Sequence, residues 1–275
     1  MNMHADFHTH TTASDGKLTH LELVELATSA GVNLLSITDH DTVAAYEAIG
    51  TLNSKTLTLI PGIEFSSVWN KTGIHIVGLN IRTDDPVLKA GIEIQRNARN
   101  RRAEMIAAKL TKLGFADSLA GARDIAGEAA IGRPHFAAWL VNSGQITDEK
   151  TAFKKFLGQG KACDIRSEWP DMKTVIEWIT ASGGTAVLAH PAKYKMTHRK
   201  LEELVQQFQA DGGQAIEVVC GKQQEQLTSR LGKLANRFGL LASRGSDFHR
   251  PGQPWAEPGK TPELPSGCMP VWESW

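Results

Sequence analysis

"HADFHTHTTASDG", residues 4–16, places Asp6, His8, His10 and Asp15 near the start of the chain. Side chains alternate faces along a β-strand, so Asp6, His8 and His10 point one way and Phe7 and Thr9 the other. Two imidazoles at i and i+2 on one face form a chelating pair for a metal ion. A surface strand with its polar residues outward has the same alternation, so the rest of the chain has to decide between the two.

The chain has 275 residues, the length of one α/β barrel or of a barrel carrying an insertion. Hydrophobic residues make up 41%, enough for a large core, and 30 basic residues balance 30 acidic ones. Without a net field, attraction to nucleic acid needs a local basic patch. Cys163, Cys220 and Cys268 show no CxxC spacing and are too few for a disulfide framework. No basic leader precedes an apolar run, and no apolar stretch reaches membrane-spanning length. A cytoplasmic protein without membrane contact is expected, and no obligate protein partner is evident.

Apolar, β-branched runs recur at 34–38, 57–65, 74–81, 185–189, 215–219 and 240–244, and with the opening strand they predict seven strands. Amphipathic helices alternate with them. "THLELVELATSAG" has Thr19 as N-cap and Gly31 just past its end, and "DMKTVIEWITASGG" uses Asp171 and Gly183 likewise. This alternation predicts a mostly parallel sheet, closed or nearly so. It breaks between about 86 and 170, which read as helical throughout: a long helix over 86–112, then 117–126, 134–142 and 148–157. The predicted division is a first barrel part over 1–98, a helical insertion over 99–170, and a second part with a wrapping Pro/Gly-rich tail over 171–275.

His40, Glu64, His190, Asp247 and His249 lie at or just after predicted strand ends, where parallel α/β folds build their chemistry. His75 opens its strand and fits only if the preceding strand is short or antiparallel. With His8, His10 and Asp15 these make nine nitrogen or oxygen donors, enough for two or three divalent ions sharing a bridging carboxylate. No thiol joins them, which favours manganese, iron or zinc. Asp6 and Asp39 stand beside the histidines and are expected to orient them.

In order, "DFHTH", "SDG", "ITDHD", "PGIE", "HIVG", "AHP" and "GSDFH" resemble the PHP (polymerase and histidinol phosphatase) family. The resemblance implies a distorted (β/α)7 barrel with three divalent ions, manganese first, with zinc, iron or magnesium as alternatives. By the family pattern His8, His10, Glu64 and Asp247 hold one ion; Glu64, His75 and His190 a second; Asp15, His40 and His249 a third. "GRPHFA" and "GSDFHRPGQPW" further resemble the TrpH-like branch, which includes 3′,5′-nucleoside bisphosphate phosphatases and a 5′→3′ exonuclease acting on short RNAs.

The substrate must be read from the insertion. In "IGRPHFAAWLV" Pro134 opens a helix flanked by Arg133 and His135, an anion site in the making. On a helical wheel Arg96, Arg99 and Arg102 share the side of Ile92, Ile106, Leu110 and Leu113, and arginines facing the protein body need anions. Arg99, Arg102, Arg133 and His135 are therefore substrate-binding candidates. Arg244, just before the Gly-Ser-Asp turn where the family is variable, joins them. Trp255, after a proline in the tail, reads as packing before base stacking.

Two separated phosphate sites fit a nucleoside 3′,5′-bisphosphate losing its 3′-phosphate, or a short 5′-phosphorylated RNA in the same register. A metal-bridging hydroxide is the expected nucleophile, and a metal-held water or His190 protonates the leaving 3′ oxygen. The inward arginines argue against histidinol phosphate, and the full donor set argues against a non-catalytic structural PHP module.

Overall fold

The computed structural model describes residues 3–50, 54 and 56–275. Strands β1 (Ala5–Asp6), β2 (Leu34–Leu35) and β3 (Thr58–Leu59) form a parallel sheet. A five-stranded sheet follows in the order β4 (Gly62–Trp69), β5 (Thr72–Leu79), β6 (Thr185–Leu188), β7 (Ala215–Cys220), β8 (Leu241–Gly245). Its β6, β7 and β8 are parallel, whereas β5 runs antiparallel to both neighbours.

That reversal is local chemistry. Asn70 and Lys71 form a two-residue turn with φ of 44° and 62°, the left-handed pair that closes a tight hairpin. It brings the start of β5, with His75, to the end where the parallel strands finish, which is the arrangement the position of His75 requires. The run at 57–65 is two strands, because Pro61 has no N–H for a ladder. The opening ladder stops at Asp6 and the second at Leu35. Beyond them the chain stays extended: Thr38 N–H donates to Thr9 O at 2.8 Å, and Asp247 N–H to His8 O at 2.8 Å. Across the other gap between the sheets, Asp41 N–H donates to Glu64 O at 2.9 Å.

The helices follow their caps. In α1 (His20–Ser29) Thr19 and Glu22 form a reciprocal capping box. The first helical residue after β5 is Pro86, in α3 (Pro86–Lys112), capped by Asp85. Between them lies the short α2 (Ala44–Ile49), and after α3 come α4 (Ser118–Ala126), α5 (Arg133–Asn142), α6 (Glu149–Ala152) and α7 (Met172–Ala181), the last capped by Asp171. α8 (His198–Ala210) and α9 (Glu225–Arg237) separate β6, β7 and β8. Helix α3 serves two cores: Leu88 packs with Ile76 and Ile179 beside the sheet, while Ala103, Ile106 and Leu110 pack with Phe136, Leu140 and Leu157. Arg96 does not share the inward face expected of it; it is 69% exposed and pairs with Glu93.

The tail wraps back onto the sheet. Ala242 N–H donates to Met269 O at 2.8 Å, and Trp272 and Trp275 pack on Phe7. Arg244 belongs to this clasp, which corrects its assignment to substrate. Its fully buried guanidinium donates to Thr261 O at 2.7 Å and pairs with Glu263 at 2.8 Å. Arg244→Ala should therefore lower stability by about 2–3 kcal/mol, the worth of bonds to a charged donor, read from urea unfolding. An unchanged unfolding midpoint with weakened substrate binding would return the residue to the site.

Candidate metal centre

Glu64, fully buried on β4, is the centre of the site. Its Oε1 lies 2.8 Å from His75 Nδ1, 2.9 Å from His190 Nε2 and 3.2 Å from His8 Nε2. The other oxygen lies 2.9 Å from His40 Nδ1 and 3.3 Å from His10 Nε2. Asp247 Oδ1 stands 3.4 Å from His10 and 3.5 Å from His8, and Asp15 Oδ1 lies 3.4 Å from His249 Nε2. All nine donor candidates therefore converge. They form four groups able to grip one ion each: His10, Asp15, His40, His249; His8, His10, Asp247; His8, Glu64, His190; and His40, Glu64, His75.

Divalent cations fit this donor set. Among the described residues His8 Nε2, both His10 nitrogens, His40 Nδ1, His190 Nδ1 and Glu64 Oε2 are buried without a hydrogen-bond partner. Such atoms are costly unless something satisfies them, and imidazole nitrogens gathered around carboxylates suit a cation.

The electrostatics agree. Burial, with His249 nearby, pushes His10 down to about 3, and burial takes His75 down to about 4, leaving both lone pairs free. Burial also opposes the His40 cation, yet Glu64 and Asp15 outweigh it and lift His40 to about 9. His8 rises well above its ordinary value under Glu64, Glu217 and Asp247 despite its burial. Burial works against ionised Glu64, but His8, His75 and His40 hold its carboxyl well below the usual range.

Two neighbours do different work from that expected. Asp6 accepts Ser246 N–H at 2.8 Å, and Asp39 accepts Thr11 N–H at 2.7 Å and Ser14 Oγ at 2.6 Å. Both are buried, and both fix loop backbone rather than imidazoles. The residue that orients a ring is Glu217 on β7, which takes His8 Nδ1 at 3.1 Å and the His190 N–H at 2.5 Å. A carboxylate inside the buried run "AIEVV" was its only signal. Asp41, the last acid of "ITDHD", and Lys193, paired with Asp247, were also missed. His190, Asp247 and Asp41 hold φ of 28°, 55° and 57°, strain that clusters at functional sites. A Cβ on Gly245 would lie 2.3 Å from that of His8, so only glycine lets β8 approach so closely.

Three cavities flank the cluster. One of about 170 Å³ is lined by His75, Arg102, Arg133, His190 and Lys193. The smallest, about 110 Å³, is lined by His40, His75, Arg99, Arg102 and Arg133. Asp41 holds Arg99 at 2.6 Å, and Arg133 reaches Leu157 O at 3.0 Å and Asp164 at 3.4 Å. Buried Arg102 lies over the Trp169 ring and donates to Ile165 O at 2.8 Å, but has no carboxylate within ion-pair reach among the described residues. Burial and then Arg133 and Arg99 disfavour its cation. The largest of the three, about 410 Å³, is lined by Asp15, His135, Asp247, His249 and Trp255. His135 Nδ1 accepts the Gly132 N–H at 3.0 Å, and Trp255, 59% exposed, is not packed away as its place in the tail suggested.

Imidazoles and carboxylates focused at strand ends, with arginines beside them, define a hydrolase of phosphate esters. No family model matches the chain. It is 42% identical over 270 residues to a 5′-3′ exoribonuclease of Haemophilus influenzae, covering 98% of this chain and 97% of the relative. It is 39% identical to a 3′,5′-nucleoside bisphosphate phosphatase of Chromobacterium violaceum, covering 97% and 94%. An amidohydrolase structure from Chromobacterium violaceum, with bound sulfate, superposes with a TM-score of 0.87 at 37% identity over 98% of this chain and 95% of that one. The chain belongs to the PHP family of metal-dependent phosphoesterases.

Because His40 carries a proton below about 9 in the metal-free protein, a cation taking its lone pair must expel that proton. Affinity for Mn²⁺ should rise with pH through about 9, as His40 and the likewise raised His8 give up their protons. Calorimetric titration in buffers of different ionisation enthalpy reads the released proton; binding without proton release contradicts the assignment.

Proposed function

We propose that this protein hydrolyses the phosphoester on the 3′ oxygen of a nucleoside that also carries a 5′-phosphate. With a nucleoside 3′,5′-bisphosphate the product is the 5′-monophosphate. With short 5′-phosphorylated RNA the same register releases 5′-mononucleotides. Arg102 carries this reading: a buried guanidinium without a carboxylate in ion-pair reach among the described residues, in a cavity shared with Arg99, Arg133 and two donor histidines. Histidinol phosphate has no second phosphate to place there.

The frame we infer is the distorted (β/α)7 barrel, supported by hydrogen bonds joining the two sheets at both edges. We place a helical insertion at 99–170 between barrel parts 1–98 and 171–275, since that segment carries its own apolar cluster. Three ions, manganese first, suit nine oxygen and nitrogen donors without a thiol, grouped as His8, His10, Glu64, Asp247; Glu64, His75, His190; and Asp15, His40, His249. Three free cysteines and no helix long and apolar enough to cross a membrane among the described residues support a cytoplasmic setting.

Divalent cations bound there neutralise phosphoryl oxygens and acidify water as the nucleophile. The chain does the rest. Arg99, Arg102 and Arg133 grip the 5′-phosphate, with Asp41 bracing Arg99 and Trp169 lying under Arg102. Glu217 holds the His8 ring in place. Water attacks phosphorus, the P–O3′ bond breaks, and the leaving 3′ oxygen takes a proton, for which His190 is the donor we assign.

Adenosine 3′,5′-bisphosphate should give 5′-AMP with added Mn²⁺, and histidinol phosphate should turn over poorly. Arg102→Ala should lower kcat/KM on the bisphosphate, relative to 3′-AMP, by about ten- to a hundredfold, the worth of a charge-assisted contact. Equal losses on both substrates would assign Arg102 to the scissile phosphate or to the fold, and 3′-AMP as the main product would reverse the orientation.

A further inference from the structure

The largest of these cavities contains more than a monoester needs. Asp15, Asp247 and His249 form the wall toward the cluster. The indole of Trp255, 59% exposed, lines the same cavity. Its turn is fixed, because Lys222 N–H donates to Trp255 O at 2.7 Å at the end of β7. Lys17 is anchored likewise, its N–H bonded to His249 O at 2.7 Å. Neither ammonium has a carboxylate partner among the described residues, whereas Arg250 pairs with Glu149 and Lys193 with Asp247.

An indole face open to water and two unpaired cations share one cavity. An apolar ligand leaves the lysines unexplained, and a bare phosphate leaves the indole unexplained; a nucleotide takes both. Asp15, Pro134 and Phe153 line this cavity and the arginine cavity alike, so the two meet over the cluster. A strand whose 5′-phosphate lies among the arginines crosses the cluster at its first internucleotide phosphate. Its second nucleotide then enters the larger cavity.

We propose that this cavity is the subsite for the second nucleotide of a 5′-phosphorylated RNA, Trp255 stacking its base and Lys17 and Lys222 holding the phosphate that follows. The proposal rests on the phosphoester reading above. Water adds to phosphorus, the P–O3′ bond breaks, and O3′ of the first nucleotide takes the proton. The phosphate stays on the second nucleotide, so each shortened product is again a 5′-phosphorylated substrate.

A 5′-phosphorylated trinucleotide with 2-aminopurine at its second position tests this. Bound in EDTA, where it is not cut, its fluorescence should be quenched by wild-type protein, not by Trp255→Ala, and in part by Trp255→Phe. With Mn²⁺, the ratio of kcat/KM on the trinucleotide to that on adenosine 3′,5′-bisphosphate should fall about tenfold in Trp255→Ala and recover in Trp255→Phe. Unchanged quenching and an unchanged ratio overturn the proposal, as does cleavage of the bisphosphate but not the trinucleotide; the phosphoester reading survives both. If wild-type protein cuts neither substrate, that reading fails, and the EDTA binding result still decides whether the subsite exists.

Discussion

Five imidazole nitrogens, from four separate stretches of chain, lie within 3.3 Å of the two oxygens of Glu64. A lone buried carboxylate would be driven toward its neutral form, and lone buried imidazoles likewise. Together they hold Glu64 ionised and leave His10 and His75 unprotonated. The backbone is arranged around this focus: an antiparallel β5 delivers His75, left-handed residues aim His190 and Asp247, and Gly245 admits His8 against β8. Such convergence costs stability, and a protein keeps it only where a cation repays the desolvation.

The parts legible in the sequence were those set by local chemistry. Thr19 and Asp171 mark helix starts because a side-chain oxygen there satisfies free N–H groups of the first turn. Asp85-Pro86 does the same for the long helix. The donors could be listed because imidazoles and acids at strand ends have few other reasons to be there. Contacts far apart in sequence escaped. Arg244 has the same chemistry whether it binds phosphate or clasps Thr261 and Glu263 of the tail. Arg96 fits the wheel, yet the first part of α3 offers it solvent and Glu93. Glu217 sat unread in an apolar run, although a carboxylate there needs a partner, and His8 is that partner. Strand lengths escaped too, since a ladder depends on its neighbours.

We propose that the helical segment after β5 adds discrimination to a frame that supplies hydrolysis. Arg99 and Arg102 ride on α3, whose far end is anchored in the second apolar cluster, and Arg133 begins α5 in that same cluster. A phosphate held by these groups is fixed relative to Glu64 by packing rather than by mobile loops. Relatives described as a nucleotide phosphatase and as an exoribonuclease are compatible with one such frame. In the reaction proposed for this chain, both substrates lose the same P–O3′ bond and differ in what lies beyond the phosphorus.

Glu64, we infer, is shared between cations. Elemental analysis of protein equilibrated with Mn²⁺ and freed of excess ion measures this directly, on wild type and on Glu64→Gln, with circular dichroism confirming the fold. Wild-type protein should retain more than one ion per chain, and the variant at least one fewer. Equal metal content in the two folded proteins, or no retained ion in wild type, would contradict the account.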